Sequence, residues 1–450
     1  MHFNTYNCST LLICLITSII VFNCSEDNDP ERVDNFTLEI DSILTLGGTK
    51  NEGAQSVIQT QDGGYAVIGH TQSMDGDVEG KSNESYDYWL LKFNASNELE
   101  WQKTFGGTAD DRGTDLIQTS DGGYAVIGKS KSGDGDVSQN EGYDDFWMTK
   151  LDENGNISWE YAFGYAGSDV PYSIIQTNDN GYLLSGVLDV SASNGQGDRG
   201  SIISQRHAGG DYWVIKLNTN GIKEWSNYFG GTFTDTAYDA VQTDDNSYII
   251  VGSSDSGDVD ISNNKGTYDF WVINLSETGD LIWEKSFGGN QVDEARSISQ
   301  TADGNYLVVG DTRSANLDVS QSNGAADLWM IKINPEGALL WEKTFGGSSF
   351  DVGRSVSKTQ DDGFLIAGSS RSLDGDLTNN KGQNDALIIK INSNGNLEWQ
   401  KTIGGSEVDF FYEAVELTDG SIVAVGDSKS SNEDITENKG FTDLLILKIK

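Results

Sequence analysis

A polar loop recurs along this 450-residue chain, and its oxygen-bearing side chains could coordinate a hard cation. The loop reads DVSQNEGYDD at 136–145, and similar segments begin at residues 260, 318, 376 and 434. Oxygen atoms at loop positions 1, 3 and 5, with glycine at position 7, resemble the ligand spacing of calcium loops. Asp and Ser also stabilise loops by bonding backbone amides without a metal. Both interpretations stay open, and the candidate ligands are Asp136, Ser138, Asn140, Asp145, Asp260, Asp269, Asp376, Asp385, Asp434 and Asp443.

Few residues could support nucleophilic or zinc-dependent catalysis. After residue 24 the chain has no cysteine and two histidines, His70 and His207, and it contains neither a Gly-x-Ser-x-Gly nor a His-Glu-x-x-His motif. We expect His70 to be an ordinary surface residue. A glycosidase needs only two suitably spaced carboxylates, and the chain has 70 acidic residues. We therefore predict that the protein is not an enzyme, with a carbohydrate-active, glycoside hydrolase-like enzyme as the alternative.

A glycine pair marks each of the repeats that carry these side chains. The pairs begin at residues 47, 106, 164, 230, 288, 346 and 404, with Tyr165 replacing the second glycine of the third pair. Within each unit, short apolar and aromatic segments alternate with turns such as SDGG and DENGN, whose Asp-Gly and Asn-Gly pairs favour hairpins. Seven units of four short strands predict an all-β fold, a seven-bladed β-propeller with four-stranded blades.

The two ends of this pattern predict how the ring closes. The sequence ends on DLLILKI at 443–449, which matches a third strand, so the seventh unit has no fourth strand of its own. The segment IDSILTLGG at 40–48 matches a fourth strand and precedes the first complete unit. We expect this N-terminal strand to complete the last blade, because closure removes two strand edges that would otherwise stay unpaired.

Two acidic positions occur in all seven units. One lies shortly after the glycine pair, and the other opens the third strand. In an up-and-down blade both positions lie at the same face of the disc, so we expect that face to be ringed with carboxylates. The residues are Glu52, Asp111, Asp169, Asp235, Asp293, Asp351 and Asp409 at the first position, and Asp87, Asp145, Asp211, Asp269, Asp327, Asp385 and Asp443 at the second.

All eleven tryptophans also fall at two fixed positions of the repeat. A large aromatic side chain at one place in each blade predicts packing between neighbouring blades. A platform for stacking carbohydrate is the alternative. The residues are Trp89, Trp147, Trp213, Trp271 and Trp329 in third strands, and Trp101, Trp159, Trp225, Trp283, Trp341 and Trp399 in fourth strands.

The N-terminal region has the features of an export signal. Residues 11–22 form an apolar run that suits a signal peptide and is too short for a transmembrane helix. Cys24 and a group of acidic residues follow, which resembles a bacterial lipoprotein signal, and an ordinary secretory signal is the alternative. The predicted domains are a lipoprotein signal peptide at 1–23, an acidic linker at 24–36 and the propeller at 37–450. Lipidation of Cys24 would anchor the protein in the cell envelope, exposed on the outer membrane, with the lipid as its only membrane contact.

The charge of the chain limits its partners. A formal net charge of −41 disfavours nucleic acid, so we expect a protein or glycan partner at one face of the propeller. The third unit has a longer loop at 193–210 that carries Arg199, Arg206 and His207. Loops on a rigid scaffold often carry function, so these three residues are candidates for partner binding, with a neutral insertion as the alternative.

The repeats resemble those of secreted bacterial proteins built from tandem Gly- and Asp-rich propeller units. The resemblance covers about residues 37 to 450 and rests on units of the type DGGYAVIG…DGDVS…DFWMTKLDENGNISWE. The strand layout is also distantly similar to kelch-type propellers, although the glycine pair falls at a different place. This resemblance implies the fold and a location outside the cytoplasm. Some such proteins carry labels that suggest polysaccharide hydrolysis, but no catalytic residue can be matched to this sequence.

Overall fold

The computed structural model describes residues 39–197 and 207–450, which form 28 strands and one helical turn. The predicted signal peptide, Cys24 and the acidic linker lie outside the described residues. The strands form seven antiparallel sheets of four strands each, which confirms the predicted seven-bladed propeller. Within these two ranges no helix has the length and apolar character needed to cross a membrane.

Six blades each take four consecutive strands. Blade 1 contains β2 (Glu52–Gln59), β3 (Tyr65–Thr71), β4 (Asp87–Phe93) and β5 (Leu99–Phe105). Blade 2 contains β6 (Asp111–Gln118), β7 (Tyr124–Ser130), β8 (Asp145–Leu151) and β9 (Ile157–Phe163). Blade 3 contains β10 (Val170–Gln176), β11 (Tyr182–Asp189), the helical turn α1 (Val190–Ser193), β12 (Gly210–Leu217) and β13 (Lys223–Phe229). Blade 4 contains β14 (Asp235–Gln242), β15 (Tyr248–Ser254), β16 (Asp269–Leu275) and β17 (Leu281–Phe287).

The remaining blades follow the same order. Blade 5 contains β18 (Asp293–Gln300), β19 (Tyr306–Thr312), β20 (Asp327–Ile333) and β21 (Leu339–Phe345). Blade 6 contains β22 (Asp351–Lys358), β23 (Phe364–Ser370), β24 (Asp385–Ile391) and β25 (Leu397–Ile403). Blade 7 contains β26 (Asp409–Glu416), β27 (Ile422–Ser428) and β28 (Asp443–Ile449), and its fourth strand is β1 (Ile40–Leu46).

The first strands of the blades form the hub. Each contacts the first strand of the next blade, and β26 contacts β2, so the seven surround the axis in a closed ring. The fourth strands lie at the rim. We call the face that carries the glycine pairs and the loops between second and third strands the loop face, and the opposite face, with the two hairpin turns of each blade, the turn face.

The third-strand tryptophans form the core between the blades, as predicted. All five are at most 1% exposed. The ring centroid of Trp147 in blade 2 lies 4.6 Å from that of Tyr88 in blade 1, whose hydroxyl donates to the Trp147 carbonyl at 2.9 Å. Tyr212 and Trp271 repeat this contact between blades 3 and 4. Apolar burial at each junction therefore holds the blades in a ring.

The fourth-strand tryptophans are half-buried at the rim. Each of five covers the glycine in the last turn of the next blade. A Cβ placed on Gly155 would lie 2.9 Å from the ring of Trp101, and the φ of Gly155 is +74°. Both the positive φ and the stacked indole therefore require glycine in this turn. The other four pairs are Trp159 with Gly221, Trp225 with Gly279, Trp283 with Gly337 and Trp341 with Gly395.

The N-terminal strand closes the ring, as predicted. Strand β1 pairs antiparallel with β28, from Leu46 opposite Leu444 to Ile40 opposite Ile449. Where five other junctions have a tryptophan over a glycine, this one has Ser42 and Asn97. The Asn97 side chain donates to the Ser42 hydroxyl at 2.9 Å.

Buried lysines of the third strands fix the hairpins at the turn face. Lys92 Nζ lies 2.8 Å from Asp62 and 2.9 Å from Glu100, and its side chain is 4% exposed. Burial acts to raise the pKa of Asp62, but hydrogen bonds from Lys92 and Thr60 lower that pKa to about 2. Lys216 and Lys390 hold equivalent acids in blades 3 and 6.

Candidate functional site

The repeated acids at the loop face bond the main chain of the glycine pairs. Asp111 Oδ2 accepts from the amide of Gly107 at 2.8 Å, and Asp136 Oδ2 accepts from the amide of Gly106 at 3.1 Å. In every blade the first-strand acid accepts from the residue four positions before it. These carboxylates satisfy the amide donors of a tight connection that no strand pairs.

The fourteen acids of the two repeated positions, which we call the junction acids, meet in pairs beneath the glycine connections. A Cβ on Gly404 would lie 2.7 Å from Oδ1 of Asp385 and 2.8 Å from Oδ2 of Asp409. Burial raises the pKa of Asp385 to about 6, and the nearby charge of Asp409 adds to this effect. The same two causes, with Asp211 as the neighbour, raise the pKa of Asp235 to about 7.

The predicted ring of carboxylates therefore does not lie on the surface. The junction acids lie at the loop face, but they are 0–7% exposed. The predicted position at one face is confirmed, but the acids do not form a charged surface there, because their oxygens accept from main-chain amides inside the turns. Sequence periodicity places a residue at an end of a blade and does not distinguish an exposed carboxylate from one that caps the backbone.

The candidate calcium ligands make hydrogen bonds within their loops. Asn140 donates to the Ser130 carbonyl at 2.9 Å and accepts from the Gly142 amide at 2.9 Å, while Ser138 is exposed. Asp145, Asp269, Asp385 and Asp443 each accept from the amide four residues earlier. Asp260, Asp376 and Asp434 accept from the first glycine of their pairs.

Lysine side chains form ion pairs with acids of some of these loops. Lys381 Nζ lies 2.5 Å from Asp434 Oδ2, and Lys439 Nζ lies 2.8 Å from Asp77 Oδ2. Within residues 39–197 and 207–450, no cluster of three or more His, Cys, Asp or Glu side chains has a metal-binding arrangement. Calcium binding stays a prediction, and the contacts described here supply the metal-free interpretation of the loops.

The long loop of blade 3 is described only in part. Arg199 and Arg206 lie outside the described residues. His207 is 7% exposed in its side chain, its Nδ1 lies 2.5 Å from Asp211 Oδ2, and its ring meets the edge of Tyr228 at 5.0 Å between centroids. The contacts of His207 with Asp211 and Tyr228 therefore hold the C-terminal end of the loop against blade 3.

The hub contains a ring of polar residues that sequence reasoning missed. We call it the hub belt, and it contains Ser56, Asp115, Ser173, Asp239, Ser297, Ser355 and Glu413, one residue from each first strand. Asp239 accepts from the hydroxyls of Ser173 at 3.1 Å and Ser297 at 2.8 Å, which belong to the blades on either side. It also accepts from the Ile298 amide at 2.9 Å.

The other two belt acids also join neighbouring blades. Asp115 accepts from the Ser56 hydroxyl at 3.0 Å and the Ile174 amide at 2.9 Å, and Glu413 accepts from the Val57 amide at 2.9 Å. Burial first, and then the charges of the other belt acids, raise the pKa values of Asp115 and Glu413. The belt acids therefore tie the blades together and favour the protonated state more than free carboxylates do.

Directly beside the hub belt, every first strand has a β-bulge at the same place. The pairing of each first strand with its second strand skips one residue. A bulge leaves that residue unpaired and redirects its side chain, and bulges are common next to active sites. We call these seven residues the bulge ring; they are Gln55, Thr114, Tyr172, Tyr238, Arg296, Arg354 and Tyr412.

The bulge ring differs from blade to blade in the chemistry of its side chains. The position after it holds a serine or an acid in every blade, whereas the bulge position holds an amide, a hydroxyl, phenol rings and guanidinium groups. All seven residues are partly exposed although they lie on the innermost strands, so solvent reaches them along the axis. This variability inside a regular repeat was the sequence signal that could have located the site.

His70 lies at the hub, near the bulge ring. Its ring faces the Gly53 position beside Asp427, and Nδ1 is buried without a hydrogen-bond partner among the described residues. Burial, followed by the Arg112 and Lys129 charges, lowers the pKa of His70 to about 3. The prediction that His70 is an ordinary surface residue was wrong, because its repeat position lies on the second strand next to the axis.

Large aromatic side chains are exposed on the loop face. Tyr143 is 65% exposed and Phe441 is 70% exposed, and both come from the loops that precede third strands. Phe233 and Phe350, at 59% and 38%, come from the connections that precede first strands. Lys131 lies 4.5 Å from the Tyr143 ring centroid. These aromatic side chains are exposed at separate places around the loop face.

Comparison with known proteins gives distant similarity. No protein-family model matches the sequence. The chain is 22% identical over 403 residues to the "Regulatory protein FlaEY" of Caulobacter vibrioides, an alignment that covers 81% of this chain. It spans 41% of the length of that relative.

Solved structures with similar chain traces have low sequence identity. Sqt1 from Chaetomium thermophilum is 11% identical, with 91% of this chain and 99% of that chain covered and a TM-score of 0.45. A gluconolactonase from Xanthomonas campestris is 8% identical, with 91% and 89% covered and a TM-score of 0.38. A protein of unknown function from Bacteroides caccae is 11% identical, with 70% and 89% covered and a TM-score of 0.39.

Proposed function

We propose that this protein is a surface-anchored lipoprotein whose propeller is a non-catalytic binding or scaffolding module for a protein or glycan. The observation that carries the proposal is the set of exposed aromatic side chains on the loop face. Exposed Tyr143, Phe233 and Phe441 lie on loops held by a rigid ring of blades. Large exposed apolar groups on a soluble fold mark interaction surfaces, and aromatic residues are enriched there.

The contacts of the hub acids support a non-catalytic function. Both oxygens of Asp115 and Asp239 accept hydrogen bonds from amides or serines, so they hold the blades and are not presented to a substrate. A carbohydrate-active enzyme is the second candidate. The observation that favours it is the raised pKa of Glu413, about 7, because a glycosidase needs a carboxyl group that stays protonated near neutral pH.

Anchoring through Cys24 and a surface location are parts of the proposal that rest on the sequence. A thioether-linked lipid at Cys24 would attach the propeller to the outer membrane through its N-terminus. The acidic residues that follow Cys24 support export to the surface. Arg199, Arg206 and His207 remain candidates for partner contacts from the long loop of blade 3.

Affinity capture from envelope extracts tests the loop face. We expect the wild-type chain to retain a partner and the double variant Tyr143→Ala, Phe441→Ala to lose it. The matched control is Ile282→Ala, Leu340→Ala, which removes two exposed apolar side chains from fourth strands at 56% and 49% exposure. Equal capture by both double variants would overturn the loop face as the binding surface. Hydrolysis of a glycan, abolished by Glu413→Gln, would favour the enzyme.

Membrane fractionation tests the anchor. We expect the wild-type chain in the outer-membrane fraction and Cys24→Ala in a soluble fraction. The control is Cys14→Ala, which changes a cysteine inside the apolar run and leaves Cys24 in place. Unchanged membrane association of Cys24→Ala would overturn the lipid anchor.

A further inference from the structure

Five consecutive members of the bulge ring form an arc of aromatic and guanidinium groups. The arc runs from blade 3 to blade 7, and it consists of Tyr172, Tyr238, Arg296, Arg354 and Tyr412. The ring centroids of Tyr172 and Tyr238 are 4.8 Å apart. The Arg296 guanidinium lies 4.4 Å from the Tyr238 centroid, and that of Arg354 lies 5.1 Å from the Tyr412 centroid.

Buried polar atoms in and directly beside the arc have no hydrogen-bond partner among the described residues. Nε of Arg296, Nε of Arg354 and Oγ of Ser355 are buried, and none has a hydrogen-bond partner among the described residues. Nearly all buried polar groups in native proteins are paired, so a group of unpaired donors at one place indicates a missing ligand or ordered water. These atoms lie on the adjacent strands β18 and β22, beside the axis.

The arc combines cationic donors with nearby carboxyl groups. Arg296 Nη2 lies 3.1 Å from Glu294 Oε2, and the charges of Arg296 and Arg354 act to lower the pKa of Asp311, which burial raises to about 6. Burial likewise raises the pKa of Asp427 to about 7, against the charge of Arg354. These acids outnumber the two arginines, which disfavours an anionic ligand. Such a site suits an uncharged ligand that both donates and accepts hydrogen bonds.

From these observations we infer that the arc binds a short, neutral saccharide at the axis of the propeller. The C–H face of a pyranose ring packs against tyrosine rings, and its hydroxyl groups accept from the guanidinium groups and donate to Glu294 and Asp427. The opposite side of the bulge ring holds the smaller Gln55 and Thr114, so the aromatic and guanidinium groups lie on one side of the axis. This inference rests on the proposed binding function and names a ligand class and a second surface for it.

Titration calorimetry on the detergent-solubilised full-length chain tests the inference. The probes are cellotetraose, maltotetraose, laminaritetraose, xylotetraose and mannotetraose. We expect at least one of them to bind, and Arg354→Ala and Tyr238→Ala each to weaken that binding at least tenfold. Arg354→Lys keeps the charge but loses the planar fork of donors, so it should also weaken binding and serves as the variant if Arg354→Ala does not fold.

Matched controls separate the arc from the loop face. Gln55→Ala changes a bulge-ring residue outside the arc and should leave saccharide affinity within twofold of wild type. Tyr143→Ala, Phe441→Ala should lose partner capture at the loop face and keep saccharide binding. Absence of binding by all five probes, or binding that survives Arg354→Lys and Tyr238→Ala unchanged, overturns the inference. Neither result affects the proposed function, which depends on the loop-face variants.

Discussion

The junction acids and the bulge ring both come from positions that are equivalent in the seven blades, but their side chains have different roles. The junction acids keep the same carboxylate chemistry in every blade, and they are buried and bonded to main-chain amides. The bulge ring keeps the same backbone irregularity in every blade, and its side chains differ and remain partly exposed. One set is therefore needed at each junction to form the fold, whereas the other is free to vary around one axis.

The difference suggests how to read repeat proteins for function. A residue that returns in every unit serves what every unit must do, which is to turn, pair and pack. A binding site on the axis needs different groups on different sides, because a ligand without seven-fold symmetry meets each blade differently. Positions that break the repeat inside an otherwise regular strand are therefore the better candidates for a site.

The largest effect that we expect is a pH dependence of the melting temperature, to which the buried junction acids of all seven junctions contribute. The pKa values of Asp145 and Asp385 are raised to about 6, and those of Asp169 and Asp235 to about 7, in each case mainly by burial. The folded state thus binds more protons than the unfolded state between pH about 4 and 7. We expect the melting temperature to fall as the pH rises through this range.

Groups with lowered pKa values oppose this trend over part of the range. The pKa values of Asp62, Asp179 and Asp361 near 2 remove stability as the pH falls below about 4, and His70 acts in the same direction below about 6.5. Calorimetric scans at pH 5 and 8 check the prediction. Asp385→Asn should make the slope shallower, and a melting temperature that is higher at pH 8 than at pH 5 would contradict it.

Two residues of one strand compare the sets directly. Asp351 accepts from the Gly347 amide at 2.8 Å and from the hydroxyls of Ser370 and Ser372 at 2.6 Å each, so Asp351→Ala leaves several buried donors unpaired. We expect it to lower the free energy of unfolding by about 2–4 kcal/mol. Arg354→Ala, three residues along, should change it by less than about 1 kcal/mol. Urea unfolding measures both, and equal losses would remove the distinction between the two sets.

A glycine substitution tests how tightly the junction acids are held. A Cβ on Gly346 would lie 2.2 Å from Oδ1 of buried Asp327, whereas a Cβ on Gly257, in another loop of the same face, would meet nothing within 4 Å. We expect Gly346→Ala to cost roughly 1–3 kcal/mol through the displaced carboxylate and main chain. Gly257→Ala should be neutral or slightly stabilising. Thermal unfolding compares them, and a neutral Gly346→Ala would show that the junction yields easily.

The smallest expected effect separates two serines of the hub belt. Ser297 donates to Asp239 and accepts from the Val356 amide at 3.2 Å, whereas the Ser355 hydroxyl has no partner among the described residues. Ser297→Ala should therefore cost about 1 kcal/mol. Ser355→Ala should leave stability unchanged and weaken saccharide binding. A larger stability loss for Ser355→Ala than for Ser297→Ala would show that the Ser355 hydroxyl is satisfied in solution.

Sequence patterns predicted the features of the fold that repeat. The glycine pairs, the turn residues and the two tryptophan positions each recur at fixed intervals, and the missing fourth strand of the last unit identified β1 as the closing strand. Residues 40–46 do pair with β28. Period and turn chemistry are local properties of the chain, so they can be read without knowledge of tertiary contacts.

Burial and bulges could not be read in the same way. Whether Asp385 faces solvent or a backbone amide depends on the path of the glycine connection above it. The bulge at Arg296 depends on how β18 pairs with β19, which shifts register between Ala295 and Ser297. Such features arise from contacts between distant segments, so they cannot be predicted from the periodicity of a single sequence.

The closing junction has a contact of its own, because the Ser42–Asn97 hydrogen bond stands where a stacked indole lies at other junctions. Because the seven blades are similar, β28 could pair with a wrong strand or with the β1 strand of another molecule. Pairing between molecules would link chains into open polymers. Ser42 offers a hydroxyl to the Asn97 side chain, whereas the glycine turns of five other junctions have no side chain to bond and are covered by an indole. The junction at which the two ends of the ring meet is therefore distinguished from the others by a specific side-chain contact.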